Sequence, residues 1–262
     1  MRPVTLRSSR RATACGLRAR LSSNVSAKMH ISAVAIFAVL LALPAQAMDI
    51  RTCGGQVILS GRVEGNEYRR VEDILSRNPE IRTAVLRNSP GGDADTGYRI
   101  GELFREKGIA TYVSGYCRSS CSRFFLGGKE RYFTDDYAAG DTYVGFHSNY
   151  RHDGQVVPGA PSKLKRFIEK YSDGKADEAL VDRWVNLRNR RGFAYFFHPQ
   201  ALKRQDGVSV LLCQGSEPGS ERWSQCEKIA QRDALSMGIV TSLEFRRSCD
   251  AANLQNEQAT GR

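Results

Sequence analysis

The sequence predicts an α/β fold with parallel strand pairing, built as one domain. Short β-rich runs alternate with helix-spaced segments from Gln56 to Phe146, and tight turns between them carry glycine. The 262-residue chain is 41% hydrophobic and 26% charged, which sets a disordered reading aside. Beyond its first 47 residues it shows no internal repeat, low-complexity segment or clear linker, so a single domain over 48–262 is sufficient.

Taken in order, Gln56–Val63 alternates and reads as a first strand, and Tyr68–Arg77 has helical spacing with Val71, Ile74 and Leu75 on one face. Thr83–Leu86 is a short apolar run ending in Asn88-Ser-Pro-Gly-Gly92, a strand followed by a tight turn. Thr96–Lys107 is a helix stopped by Gly108, and Ile109–Val113 a strand leading into Gly115-Tyr-Cys-Arg-Ser-Ser-Cys121. Phe124–Leu126 continues a short buried helix ended by Gly127-Gly128. Arg131–Phe133 and Tyr143–Phe146 are strands, the second running into His147. Further on, the spacing predicts helices over Lys163–Tyr171, Ala176–Arg191 and Cys226–Met237, an aromatic cluster at Phe193–Phe197 and a strand at Val208–Cys213.

The net charge of +11 invites a nucleic-acid reading, which its distribution argues against. Residues 1–47 carry seven basic residues and no acidic one; setting them aside leaves 32 basic against 28 acidic residues, a net of +4. No nucleic-acid partner is expected. The basic leader has secretory anatomy: Lys28 precedes the apolar run Ile31–Leu43, Pro44 follows, and Ala45-Gln46-Ala47 supplies the small-x-small cleavage pattern. The run is short for a bilayer span, so cleavage after Ala47 and a periplasmic or secreted product are expected, with membrane attachment only if the leader stays on. Translation from Met29 and a twin-arginine feature at Arg10-Arg11 both remain open.

Six cysteines remain after the leader: Cys53, Cys117, Cys121, Cys213, Cys226 and Cys249. An even number in an oxidising compartment suggests disulfides. Spacing alone does not determine connectivity. The tidiest set joins Cys213 to Cys226 across a loop, Cys53 to Cys249 at the two ends, and Cys117 to Cys121 locally. With no second close pair beside Cys117 and Cys121, no metal site is expected.

Three segments carry potential chemistry. The Gly91-Gly92 turn can present backbone amides where a side chain would obstruct them, as an oxyanion hole requires, although Pro-Gly-Gly is also an ordinary turn. Ser119 and Ser120 stand where a strand gives way to a helix, a place that favours developing negative charge and equally favours a serine cap. His147 ends an apolar strand and is placed to accept a serine proton, or else to hydrogen-bond backbone as a half-buried histidine. His152 and His198 are rivals that do not sit at strand ends.

The order of these segments resembles the Clp protease proteolytic subunit and, more closely, exported Clp-like proteins with a Cys-x-Ser-x-Cys motif. The matching residues are Asn88-Ser-Pro-Gly-Gly92, Gly115-Tyr-Cys-Arg-Ser119-Ser-Cys121, Phe124-Phe-Leu126, Gly128, Arg131 and Phe146-His147, with a weaker match at Ala234-Leu-Ser-Met-Gly-Ile-Val240. The family glycines stand four before and nine after the nucleophile; Gly115 and Gly128 satisfy this with Ser119 and not with Ser120. The resemblance implies a ClpP/crotonase-like fold of repeated β-β-α units in a spiral. It also implies Ser119 as nucleophile, His147 as general base, and the amides of Gly92 and Ser120 as oxyanion hole. Gly91 and Arg123 are assigned to substrate binding, with a subunit interface as the other reading of Arg123.

The resemblance further implies a peptide or protein substrate and a homo-oligomer. No cofactor is implied, and no ATPase partner, since an exported protein meets no cytoplasmic ATP. The family's third catalytic residue, an Asp, has no counterpart: no Asp occurs between Gly207 and Lys228. Glu221 or Glu227 is the available substitute, or Ser119 and His147 act as a dyad. Losing the orienting carboxylate can cost about four orders of magnitude in turnover. A non-catalytic binding module and an esterase or other acyl hydrolase on the same site are therefore carried beside the peptidase reading.

Overall fold

The computed structural model describes residues 47–204, 208–217 and 223–260; the expected signal sequence and Glu221 lie outside the described residues. The chain opens with β1 (Asp49–Cys53), antiparallel to β2 (Gln56–Val63) across Gly54 and Gly55, whose φ values of 50° and 73° suit a two-residue hairpin. Reading Gln56 as the start of the first strand missed β1, because Asp49-Ile-Arg-Thr-Cys53 is polar and largely exposed.

The next three strands supply the parallel centre of the sheet. Helix α1 (Glu67–Arg77) connects β2 to β3 (Thr83–Gly92), burying Val71 and Leu75. Helix α2 (Ala94–Glu106) starts at Asp93, whose carboxylate accepts the Thr96 amide at 2.8 Å, and leads to β4 (Ala110–Arg118). Helix α3 (Ser120–Gly127) follows at once. It lies so close to α2 that a Cβ on Gly101 would stand 2.4 Å from the Arg123 carbonyl oxygen, and one on Gly127 2.1 Å from that of Gly101. Against this close backbone contact pack Phe104 and Phe124, edge to face at 6.4 Å; burying a phenylalanine contributes about 1.5–3 kcal/mol.

Two strands share the far side of β4. β5 (Arg131–Phe133) pairs with its first half and β6 (Tyr143–Phe146) with its second, both parallel. Helices α4 (Ala160–Tyr171) and α5 (Glu178–Val185) then intervene. The sheet finishes antiparallel with β7 (Phe193–Phe197), β8 (Val210–Cys213) and β9 (Glu227–Lys228). The expected α/β class is observed, with parallel pairing from β2 to β6 and antiparallel pairing at both ends.

Two expected helices differ. The pattern over Ala176–Arg191 becomes the shorter α5, capped by Asp177 and closed at Asn186, whose side-chain amide donates to the Asp182 carbonyl at 2.8 Å. Cys226–Met237 is not a helix: after β9 the chain turns. The Asp233 carboxylate accepts the amides of Leu235 and Ser236 at 2.9 and 2.7 Å, satisfying locally the groups a helical ladder would use. Helix α6 (Ala251–Thr260), not anticipated, ends the described chain.

The expected disulfides form: Cys53–Cys249, Cys117–Cys121 and Cys213–Cys226. Beside the first, Arg87 grips Asp250 through two hydrogen bonds of 2.8 Å, tying the C-terminal segment to β3. That pairing draws the Asp250 carboxyl down to about 2.

Candidate active site

β4 delivers Ser119 at the turn into α3. The residue has φ 56° and ψ −124°, a conformation that costs an ordinary residue about 1–3 kcal/mol. The surroundings enforce it. The Ser119 amide donates to the Gly145 carbonyl at 2.9 Å, while the amide and hydroxyl of Ser122 donate to the Ser119 carbonyl at 3.0 and 2.6 Å. The Cys117–Cys121 disulfide spans the turn, holding Cα atoms 5.3 Å apart. Ser119 is half-buried on the cleft. Ser120 is fully buried, and its hydroxyl makes no hydrogen bond among the described residues. Its amide stands at the first helical position, where no intrahelical acceptor exists.

The flanking glycines are there for packing. A Cβ on Gly115 would lie 2.0 Å from Asn88 Oδ1, at the irregularity where β3 and β4 bend together. One on Gly128 would lie 2.2 Å from Thr111 Oγ1, whose hydroxyl donates to the Phe125 carbonyl. Gly91, assigned from sequence to substrate binding, is instead buried beneath the turn at Ser119. A Cβ there would meet the Arg118 carbonyl oxygen at 2.5 Å and Ser119 Cβ at 2.6 Å. Gly92, half-buried, lines the cleft.

His147 follows β6, and its Nε2 lies 2.8 Å from Ser119 Oγ. The ring is only 8% exposed. It stacks on Phe193, with centroids 3.9 Å apart and planes 16° from parallel, and it meets Tyr150 at a tilt. Burial first, and the nearby Arg123 guanidinium second, push its pKa down to about 3. The backbone carbonyls of Arg190 and Gly192 act in the opposite sense, yet Nδ1 closes no hydrogen bond among the described residues. The place where a triad carries its orienting carboxylate is thus occupied by backbone and an aromatic face. Glu227 is not there: it is exposed on β9, ion-paired to Arg183.

Arg123 has a different place from the one sequence reading gave it. It is fully buried and does not line the cleft. Its Nη2 donates to the His147 carbonyl at 3.2 Å and to Asn149 Oδ1 at 2.6 Å, and its guanidinium lies over the Tyr98 ring. It ties the His147 backbone to the Asn149 side chain across Ser148 and is closed off from solvent. Of the rival histidines, His152 is exposed on the cleft rim, and His198 is buried with Nε2 on the Leu243 carbonyl and Nδ1 accepting the Gln200 amide.

The cleft above Ser119 and His147 measures about 1430 Å³. Phe193, Tyr195, Trp223 and Cys213 give it an apolar floor, and Val63 with Gly92 one wall. Among the described residues no group of three or more His, Cys, Asp or Glu is placed to hold a metal. Phe193 and Tyr150 escaped the sequence reading. The register pairing Phe146 with Ala194 puts residue 193 opposite residue 147, a signal legible only once the antiparallel β6–β7 pairing is known.

No family model matches the chain, and no curated protein matches it. Among solved structures it is similar to ClpP1 from Listeria monocytogenes, with a TM-score of 0.44 and 13% identity over 74% of this chain and 92% of that one. An Asn-to-Asp mutant of the same protein gives 0.45 and 13% over 75% and 93%. A Ser-to-Ala mutant of the 1510-N membrane-bound stomatin-specific protease gives 0.41 and 13% over 56% and 73%.

Proposed function

We propose that the chain is an exported, ATP-independent serine peptidase that cleaves peptide bonds through an acyl-enzyme on Ser119. The observation that carries this reading is the 2.8 Å contact of His147 Nε2 with Ser119 Oγ on a strained turn at a helix start. As Ser119 Oγ bonds to the carbonyl carbon, its proton passes to His147 Nε2, and the amides of Gly92 and Ser120 receive the negative oxygen. The tetrahedral species collapses as His147 returns the proton to the leaving amine. Water then repeats the sequence on the ester and frees Ser119.

The three disulfides support the export part of the reading, since such bonds persist in oxidising compartments. Self-assembly into a homo-oligomer belongs to the same reading and is measured by light scattering of the purified protein. A second reading, a binding module without catalysis, is favoured by one observation: a buried imidazole whose Nδ1 closes no hydrogen bond among the described residues is a weak base.

Fluorophosphonate labelling with peptide mapping separates the two. Adduct on Ser119, lost in Ser119→Ala and retained in Ser120→Ala, is the expected result. No adduct on well-folded protein leaves the binding module, and adduct on Ser120 overturns the choice of nucleophile.

A further inference from the structure

The cleft holds more cationic charge than its own carboxylates neutralise. Arg62, Arg118, Arg151, Arg190 and Arg191 all line it. Arg62 pairs with Glu64 at 2.9 Å, and the other four close no ion pair among the described residues. Four carboxylates face the same space, Glu64, Asp93, Asp153 and Glu217, one fewer than the arginines, and they bond locally rather than to Arg118, Arg151, Arg190 or Arg191. Asp93 caps α2 on the Thr96 amide, Asp153 accepts the Gln155 amide at 2.9 Å, and Glu217 accepts the amides of Gln214 and Gly215.

Arg118 stands closest to the chemistry, immediately before Ser119 on β4. Its guanidinium lies 4.8 Å from the centre of the Tyr116 ring, and its Nε is buried without a hydrogen-bond partner among the described residues. Space for it is provided by Gly145 on the neighbouring strand. A Cβ there would stand 3.2 Å from the Arg118 side chain and 3.0 Å from Tyr195. A planar fork of N–H donors, partly desolvated and short of acceptors, is matched by a carboxylate.

We infer that the cleft selects acidic peptide segments, Arg118 taking a carboxylate beside the scissile bond and Arg190 and Arg191 extending the attraction along the rim. The inference rests on the peptidase reading of Ser119. Docking the carboxylate also assists chemistry. Arg118 disfavours a positive charge on His147, and an anion placed on Arg118 offsets that opposition just as His147 takes the serine proton.

The test compares matched fluorogenic peptide libraries in which every Glu of one is Gln in the other. The Glu library is expected to turn over with kcat/KM about tenfold higher, an advantage compressed at about 0.5 M salt and largely lost in Arg118→Gln. Should Arg118→Gln fail to fold, the exposed pair Arg190→Gln/Arg191→Gln is expected to shrink the Glu preference about threefold. Equal turnover of the two libraries by protein whose Ser119 accepts fluorophosphonate overturns the acidic selectivity and leaves the hydrolase intact. If Ser119 accepts no label, anisotropy titration of the Ser119→Ala protein with fluorescein-tagged Glu and Gln peptides decides separately. Tighter binding of the Glu peptide upholds the anionic cleft without the peptidase, and equal binding overturns both.

Discussion

His147 and Phe193 lie ring on ring, 3.9 Å apart and 16° from parallel, so this imidazole is oriented by an aromatic face where serine hydrolases commonly use a carboxylate. A stack restrains tilt and leaves the charge of the ring unchanged. On the proposed peptidase reading Phe193 is a positioning residue. Phe193→Leu is expected to lower the rate of fluorophosphonate labelling about tenfold, with Phe193→Tyr restoring most of it, because a loosened base seldom meets the hydroxyl in line. A purely structural role for Phe193 would instead lower stability and leave the labelling rate of the folded fraction unchanged.

The buried state of His147 sets a pH signature. With its pKa near 3, the ring is already neutral at pH 5, so labelling should stay flat from pH 7 down to about pH 5, with no fall near 6.5. Stability follows the opposite logic. In the unfolded chain this histidine takes up a proton near 6.5, whereas in the folded protein it does so only near 3. Unfolding therefore binds a proton in that window, and stability is full above 6.5 and lost as pH falls towards 3. The slope from one such group is about 1.4 kcal/mol per pH unit. His198, also lowered by burial, adds in the same direction. Urea titrations at several pH values should show a shallower acid dependence in His147→Gln than in the parent protein; equal slopes would refute the burial argument.

What could be read in the sequence depended on whether the signal was local. Strand Gln56–Val63 has the expected bounds, though Val57, Ile58 and Leu59 are all buried, so its continuous apolar run marks it better than the alternation did. Ser119 was singled out by the glycine spacing of the family the sequence resembles and His147 by its place at a strand end, and the structure brings the two within hydrogen-bond distance. Periodicity misled at 226–237, where apolar Ile229, Ala234 and Met237 imitate a helix while Asp233 closes its own turn. Arg123 misled for another reason. A charge in the middle of a buried helix makes sense only when the His147 carbonyl and Asn149 are known to converge on it from the segment after β6. Phe193 was visible as an aromatic; its contact with His147 was not, because it depends on a strand register closed after two intervening helices.

Two glycines with nearly the same φ separate strain from crowding. Gly91 (φ 83°) lies against the nucleophile turn, whereas Gly154 (φ 85°) faces open space, with nothing within 4 Å of an added Cβ. Gly154→Ala bears only the left-handed backbone penalty and is expected to cost about 1 kcal/mol without affecting labelling. Gly91→Ala adds a methyl 2.5 Å from the Arg118 carbonyl oxygen, which the turn relieves only by moving Ser119. It is expected to cost about 3 kcal/mol and to abolish labelling. Equal costs in thermal melts of the two variants would mean that Gly91 serves conformation alone.

The disulfides divide stability from function. Cys53 and Cys249 are 196 residues apart in sequence and Cys117 and Cys121 only 4, so loop-closure entropy assigns about 5 kcal/mol to the first and about 2 kcal/mol to the second. The short bridge spans the turn at Ser119 itself, whose unfavourable φ must be held against relaxation, whereas the long one ties the two ends of the domain. Replacing both Cys53 and Cys249 with Ser should therefore lower the melting temperature more, and leave the labelling rate of the folded protein unchanged. Replacing both Cys117 and Cys121 with Ser should cost less stability and slow labelling, because an unclamped turn lets Ser119 drift from His147 Nε2. The reverse ranking would mean that α3 and the Gly145 carbonyl suffice to hold the serine, and that the bridge serves only to tie the strand to its helix.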